Sequence, residues 1–438
     1  MAARRLDRPG REPVTLRVDG QDVPARRGEP VAMSLLAAGR VVLGRSVKYH
    51  RPRGATCFAG RCDGCLMRVE GVPSVRTCRT PAEHGLEIST QNVLGSAEVD
   101  LLSAADWFFP GGMNHHEMFT WAKPVNQVMQ LVAREVAGIG TLPDAVAAAS
   151  ALETRELDVL VVGAGAAGLA ASRVAAERGL SVLCIDEEPE GGGWLRWSTE
   201  PDHASMAARL LEAARGAGAE VRPGHGALGL FEEPEEGRVA IVEGPVGLLR
   251  VRARAWVLAV GRTEGACAFQ GNDLPAILGA EAAARLLAHG IVPGERVVLA
   301  GDLEARGGEL TALAHALEGH GAQVSGPHPL AQVLRADGRN QVSSITLERD
   351  GARTRVPCDA VILAPRTSAT YELAVQAGAR TELREGVFEI SHAPGERSVW
   401  IVGAAAGTPS VLDAIADAER AADEVVARLA ATRPRVGP

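Results

Sequence analysis

Four cysteines near the N-terminus, Cys57, Cys62, Cys65 and Cys78, stand in the pattern C-x4-C-x2-C-x12-C. Three of them fall in one short loop and the fourth arrives from further along the chain. That is the plant-type spacing of a [2Fe–2S] cluster, in which thiolates hold the irons. Gly60 and Gly64 suit such a loop, because glycine reaches dihedrals that let backbone N–H groups point at anionic sulfur. The alternative is structural zinc or unligated thiols, although zinc sites more often pair two C-x2-C knuckles or add a histidine pair. A cluster implies one-electron traffic.

A second constellation follows: Asp158-Val-Leu-Val-Val-Gly163-Ala-Gly165-Ala166-Ala167-Gly168, then an Ala-rich helical pattern, then Val182-Leu-Cys-Ile-Asp186-Glu187. An apolar strand before the glycines, a helix after them and an acid ending the next strand complete a dinucleotide fingerprint. Gly163 allows the tight turn, Gly165 lets a pyrophosphate approach the backbone, and Gly168 lets the helix close on the strand. Asp186 is expected to accept hydrogen bonds from an adenosine ribose, and this acid favours FAD or NAD over NADP. Ala166, Ala167, Glu187, Gly192 and Gly193, with Gly261 and Gly403 at later strand ends, complete the expected cofactor contacts. FAD is the expected ligand, with NAD or ATP as alternatives at the same place. No side-chain constellation for substrate oxidation stands out, so no catalytic residue is assigned.

The elements that must position these groups can be read from periodicity. Val14–Val18 and Val23–Arg26 form a hairpin about Gly20, Val31, Leu35 and Leu36 line a helix stopped by Gly39, and Leu66–Val69 and Gly85–Ser89 add strands. This predicts a β-grasp, ferredoxin-like module over residues 12–98. An aromatic and helical linker is expected over 99–156, with a helix over Val125–Ala137. A Rossmann-like domain should occupy 157–272 and 390–438, with strands at Leu248–Arg254 and Trp256–Val260. A second, inserted dinucleotide-type domain is expected over 273–389. There Arg296-Val-Val-Leu-Ala-Gly301-Asp302 breaks the glycine pattern and places a carboxylate where a pyrophosphate would lie, which reads as structural. The expected fold class is α/β plus α+β: a ferredoxin-like module followed by a fold that, by its Val257-Leu-Ala-Val-Gly261-Arg strand end, resembles two-dinucleotide-domain flavoproteins of the glutathione or thioredoxin reductase type.

Composition agrees with ordinary globular packing: 46% hydrophobic, 23% charged and only 3% aromatic. The net charge of −8 argues against a nucleic-acid partner. No run of about twenty apolar residues is present to span a membrane and no signal-like segment opens the chain, so a cytoplasmic location is expected. Cys184, Cys267 and Cys358 read as packed thiols. Trp107, Phe108 and Phe109 form the densest aromatic patch and are candidate contacts for a partner or a neighbouring domain. Asn114, His115, His116 and Glu117 follow it, but adjacent side chains point apart, which disfavours metal binding.

The stretch Gly44-Arg-Ser-Val-Lys-Tyr-His-Arg-Pro-Arg-Gly54 closely resembles the G-R-S-x-K-Y-H-R-P-R-G motif of the alpha subunit of heterotetrameric sarcosine oxidase. It is similar also to the large subunits of hydrogen cyanide synthase, opine oxidase and dye-linked proline dehydrogenase. The resemblance extends over the dinucleotide fingerprint to Asp186-Glu187-Glu188-Pro189 and Gly191-Gly192-Gly193. It implies an electron-transfer subunit of a multi-subunit amine or amino-acid dehydrogenase or oxidase. A smaller flavoprotein partner of the amino-acid-oxidase type would oxidise the substrate, and a quinone or soluble carrier would accept electrons. FMN at a subunit interface is a further expectation, for which Lys48, His50, Arg51 and Arg53 offer cationic groups, as they do for the cluster. No folate-linked half and no second cluster are expected. The Asp that such flavoproteins place after the last strand's glycine is Ala404 here, which weakens one flavin contact. A self-contained NADH-dependent ferredoxin-type reductase and a scaffold holding a redox-inert nucleotide are the rival readings.

Overall fold

The computed structural model describes residues 3–7, 11–46, 50–93, 95–99, 122–136, 151–235, 237–392 and 398–431. The aromatic patch at 107–109, the residues 114–117 and Lys48 lie outside them. Two compact units divide the chain: Met1–Val146 with Ala266–Pro365, and Ala147–Gly265 with Arg366–Pro438.

In the first unit, alternation builds the β-grasp as expected. Pro13–Val18 buries Val14, Leu16 and Val18 and exposes or half-exposes the residues between them, the period-two signature of a one-faced strand. It pairs antiparallel with Gln21–Arg26 across an Asp19-Gly20 turn, both residues at positive φ, the requirement of a two-residue primed turn. The five-stranded order is Gln21–Arg26, Pro13–Val18, Glu87–Ser89, Leu66–Val69, Val72–Arg76, with the first and last strands of the chain's module parallel at the centre. The helix Val31–Ala37 buries six residues against the module.

This module does not have a core to itself. Leu16, Leu35 and Met67 share one apolar cluster with Leu278, Ala282, Leu286 and Ile291 of the inserted domain. Arg4–Arg5 also pairs antiparallel with Ile291–Val292, and Arg5 grips the buried Glu29 with two hydrogen bonds of 2.8 and 2.7 Å. The inserted domain itself is a parallel sheet ordered Ile277–Gly279, Ala360–Ala364, Arg296–Gly301, Gln323–Pro329. Helices Ala280–Ala288 and Leu303–Gly319 pack on it, and an antiparallel meander runs from Val333 to Pro357.

The second unit carries a seven-stranded sheet in which Glu220–Pro223, Val182–Asp186, Ala151–Val162 and Gly247–Leu258 lie parallel in that order. Gly237–Gly244 and Gly226–Glu233 extend it antiparallel, and Val399–Ile401 pairs with Gly247–Leu258. Residues 248–254 and 256–258 form one strand rather than two, and the strand leading to Gly163 begins at Ala151. Cross-strand ion pairs, Arg252–Glu156 at 2.6 Å and Arg254–Asp158 at 2.8 Å, carry the charged half of this pairing; an apolar pattern does not reveal it. Helix Ala166–Glu177 packs on Val411–Ala431 through alanines, Ala167, Ala170 and Ala171 facing Ala414, Ala418 and Ala422. Small side chains fill this interface, which suits a chain so poor in aromatics.

The inserted portion is shorter than the expected 273–389. Residues 366–389 belong to the compact unit of the first dinucleotide fold, because Ala374, Ala377 and Ala379 are buried with Leu230, Trp256 and Val399. Residues 266–272 fall on the other side of the division. The expected linker overlaps described structure in the helix Lys123–Val136 and in the strand from Ala151.

Candidate cluster and dinucleotide sites

The four cysteines of the first unit come together as two couples. Cys57 Sγ and Cys62 Sγ stand 3.4 Å apart and half-buried, whereas Cys65 and Cys78 are buried and hydrogen-bonded to each other. Backbone donors converge on the sulfurs: Ala59 N and Arg61 N reach Cys57 Sγ at 3.4 and 3.3 Å. Thr56, Cys57 and Gly64 N–H groups serve Cys62, and Gly60 serves Cys78. Within each couple the shared hydrogen bond splits the thiols. Cys62 is drawn down to about 5 by its bond from Cys57, and Cys65 is lowered by its bond from Cys78, while Cys57 and Cys78 are raised.

The glycines make this convergence possible. Gly60 sits at φ +74° with the Arg79 stem across it, and a Cβ on Gly64 would fall 2.0 Å from Gly54 O. Among the described residues no three ligating side chains gather about one point. Two separate couples fit a two-iron cluster with two thiolates per iron better than a single tetrahedral zinc.

Arg45, Arg51 and Gly54, before the cysteines, are held by contacts to other parts of the unit. Arg45 is buried and donates to Ala97 O at 3.0 Å, His50 O at 2.8 Å and Asn340 Oδ1 at 3.0 Å. Arg51 meets Asp273 at 3.4 Å. A Cβ on Gly54 would come within 2.6 Å of Val41 O and 2.9 Å of Pro275 Cβ. The resembling motif is therefore partly a bracket between the cysteine loop and the inserted domain.

In the second unit the three glycines at the strand–helix turn separate by what forbids a side chain. At Gly163, φ is +104° and a Cβ would lie 2.3 Å from Ala259 O; at Gly168 it would lie 1.8 Å from Gly163 O. Those two are required by packing. At Gly165 a Cβ would find only Gly193 Cα, at 4.0 Å, so the space above it is open. Gly165 is the N-cap of Ala166–Glu177 and brings no side-chain cap, leaving first-turn N–H groups such as those of Ala166 and Ala167 for an anion. Gly192 and Gly193 follow at positive φ, and a Cβ on Gly193 would strike Gly165 Cα at 2.8 Å.

Asp186, at the end of its strand, accepts backbone hydrogen bonds from both sides of the turn. Its Oδ2 accepts from Ala164 N at 2.7 Å and its Oδ1 from Glu188 N at 2.8 Å. Burial pushes this carboxyl up to about 6, against the pull of those two N–H groups and with help from the Glu188 and Glu187 charges. Asp186 thus ties the glycine turn to the residues after its strand, and the exposed Glu187 stands beside it at the strand end. Gly403, at φ +70°, has Ala167 Cβ only 2.6 Å from where its own Cβ would be. Its N–H donates to Asp417 Oδ2 at 3.0 Å. Asp417 lies in the last helix, where no motif marks it. Gly261 closes its strand at φ +69° and accepts from Thr370 N at 3.0 Å. Trp194 and His203, edge to face at 5.4 Å, stand next to Gly193 and were equally unmarked by sequence.

A ferredoxin-like module and a glycine turn of this kind define an oxidoreductase-type subunit. Family models agree: that of the 2Fe-2S iron-sulfur cluster binding domain matches residues 11–93, and that of the FAD binding domain matches residues 158–200. The sarcosine oxidase subunit alpha of Rhizobium meliloti (strain 1021) is 28% identical over 471 residues, covering 97% of this chain and 47% of that protein. The hydrogen cyanide synthase subunit HcnA of Pseudomonas aeruginosa is 34% identical over 82 residues, covering 19% of this chain and 78% of that protein. The chain belongs to the family of sarcosine oxidase, opine oxidase and hydrogen cyanide synthase alpha-type subunits that carry an N-terminal 2Fe-2S module. It spans about half the length, or less, of the sarcosine oxidase subunits it matches. In fold it is similar to L-proline dehydrogenase from P. horikoshii, with a TM-score of 0.76 at 19% identity, covering 98% of this chain and 76% of that one. Thioredoxin reductase from T. acidophilum aligns with a TM-score of 0.51 at 16% identity, covering 63% of this chain and 99% of that one. The expected architecture, a ferredoxin-like module before a thioredoxin-reductase-type flavoprotein fold, is thus the one found. Among the described residues no helix is long and apolar enough to cross a membrane.

Proposed function

We propose that the chain is the electron-transfer subunit of a multi-subunit, flavin-dependent amine or amino-acid dehydrogenase or oxidase. Its substrate, of the sarcosine, proline, opine or glycine class, is oxidised on a smaller flavoprotein partner. Electrons then pass through this chain to a quinone or soluble carrier. The observation that carries this reading is the pairing of four thiols into two couples on the same polypeptide as an open, uncapped glycine turn.

In this reading Cys57 and Cys62 hold one iron and Cys65 and Cys78 the other. Gly165 leaves room for the FAD pyrophosphate, the first-turn N–H groups of Ala166–Glu177 receive it, and Glu187 takes the ribose hydroxyls. Asp186 and Asp417 hold the two glycine turns that frame the pocket. When bound, FAD supplies chemistry that takes up two electrons and releases them singly, which matches a one-electron cluster. The chain's own residues bind and orient; they need not abstract a proton.

Amine-dependent dye reduction measured for this chain, for the partner and for their mixture tests the division of labour. Turnover is expected only from the mixture, and full turnover by the isolated chain overturns the reading. Cys62→Ser tests the ligand set: a hydroxyl is a poor ligand for a soft site, so the electron paramagnetic resonance signal of the reduced protein should vanish. An unchanged signal removes Cys62 from the ligands. NADH alone should not bleach the chromophores; if it does, the chain is a self-contained reductase.

A further inference from the structure

The cluster module is most basic where its thiols are least covered. Residues 51–79 contain six arginines and two acids, in a chain whose net charge is −8. Arg68 and Glu70 belong to the far hairpin turn, where Arg68 Nη1 donates to Gly71 O at 2.6 Å and Glu70 Oε1 accepts from Glu87 N at 2.7 Å. Arg51 meets Asp273. Within the segment, the residues around the thiols are then Arg53, Arg61, Arg76 and Arg79, with Asp63 as the one acid.

Their placement follows the exposed couple. Arg61 is exposed, and its own N–H donates to Cys57 Sγ at 3.3 Å. The Arg79 stem lies over Gly60, between Cys57 and Cys62, with Cγ and Cδ at 3.2 and 3.3 Å from where a Gly60 Cβ would be. Arg76 is exposed two residues before Cys78. Cys57 and Cys62 are half-buried, while Cys65 and Cys78 are 0% and 2% exposed. The more exposed couple is thus Cys57–Cys62, where Arg61 and Arg79 lie, with the exposed Arg76 close in sequence to the second couple.

We propose that the arginine rim at the Cys57–Cys62 edge is the docking face for a protein electron-transfer partner with an acidic surface. This deepens the proposed function and rests on its cysteine assignment. An acidic partner is repelled by the net negative remainder of the chain, so a local cationic rim selects the one orientation that brings it to the thiols. Charges act over a Debye length, about 30 Å at 0.01 M salt and about 3 Å at 1 M. The rim therefore steers at low salt and loses its hold at high salt.

The test uses the whole chain, reduced with dithionite, and two one-electron acceptors of opposite charge: ferricyanide and tris(phenanthroline)cobalt(III). Each takes one electron from a reduced cluster, and rapid-freeze electron paramagnetic resonance follows the cluster signal. Oxidation of the cluster by ferricyanide should slow about tenfold between about 0.01 and about 1 M salt, and its oxidation by the cobalt complex should not slow. If the arginines merely neutralise the cluster, the net negative chain governs and ferricyanide speeds up with salt, which overturns the proposal.

Binding of fluorescein-labelled poly-L-glutamate, read by anisotropy, supplies a second measure. It should weaken about tenfold in the double variant Arg61→Glu, Arg76→Glu, and unchanged binding also overturns the proposal. Should that variant lose its cluster absorption, the Arg61→Gln, Arg76→Gln pair is read instead, with weaker binding again expected. A wild-type protein with no cluster signal at all would sink the cysteine assignment, while the poly-glutamate measurement still judges the rim.

Discussion

Two strand–turn–helix corners in this protein share a topology and differ in what occupies the helix start. At the first, Gly163–Gly168 leads into Ala166–Glu177; at the second, Gly301 leads into Leu303–Gly319. Both need a glycine where strand meets helix, for a Cβ on Gly301 would lie 2.5 Å from Ala364 O, much as Gly163 is held by Ala259 O. The first helix begins without a side-chain cap beneath open space. The second is capped by its own Asp302, which accepts from Ala305 N at 3.0 Å, and Arg306 turns back to Glu309 at 2.6 Å. A pyrophosphate at the first corner meets free donors and the positive end of a helix dipole. At the second it would meet a carboxylate already using them. The two corners thus differ in the N-cap, open at Gly165 and filled by Asp302, and in the glycine that follows the strand end only at the first.

The largest effect should come from closing the open corner. Gly165→Val places two methyl groups where the pyrophosphate must approach the backbone. Bound flavin, measured by absorbance after release, should fall from stoichiometric to background while the cluster signal of the other unit persists. Retained flavin would mean the ligand does not enter over Gly165, and the contrast between the corners would lose its meaning.

The glycine spacing at the first corner and the thiol spacing in the cysteine loop were legible because each ligand constrains the backbone directly. The broken pattern at Gly301-Asp302 was legible for the same reason. The backbone contacts of Asp186 were not: nothing in the sequence marks a strand-end carboxylate as the acceptor for the Ala164 and Glu188 N–H groups. Asp417 was hidden because a carboxylate in a solvated helix has no motif until the turn at Gly403 lies beside it. Leu278 at a strand end and Ala282 and Leu286 on the following helix share the core of the ferredoxin-like module, a contact between modules that periodicity does not reveal. The reach of the first strand back to Ala151 was obscured by charged cross-strand pairing such as Arg252–Glu156, which stabilises neighbours across a sheet without leaving an apolar alternation.

A pH experiment sharpens the first corner alone. Burial raises the Asp186 carboxyl from 3.8 to about 6, so its charged form is disfavoured in the folded state. A group raised in this way contributes stability that is full below its unfolded value and is lost as pH climbs through about 6. The shift corresponds to at most about 3 kcal/mol. Asp186→Asn does not titrate, so wild type should gain on the variant in thermal midpoint as pH is lowered from about 7.5 to about 5. A difference between the two proteins that stays constant with pH would mean that the carboxylate is not buried beneath the turn.

The smallest effect belongs to the closed corner. Asp302→Ala removes the cap from Leu303–Gly319 and leaves Ala305 N–H to water, a loss of about 1 kcal/mol, as for other N-cap deletions. Because Gly301 keeps its packing against Ala364 and Leu310, the fold of this unit should survive. The exposed helix start then becomes an anion site in electrostatic terms. It still lacks the second glycine that gives Gly165 its open approach, so NADH affinity measured by fluorescence titration should stay negligible. The two outcomes together, a lower unfolding midpoint and no gain in nucleotide binding, would show that the cap was selected by stability and that the missing glycine excludes the ligand. Tight NADH binding by Asp302→Ala would instead show that a single carboxylate was the whole barrier, and the second domain would then be a nucleotide site held shut.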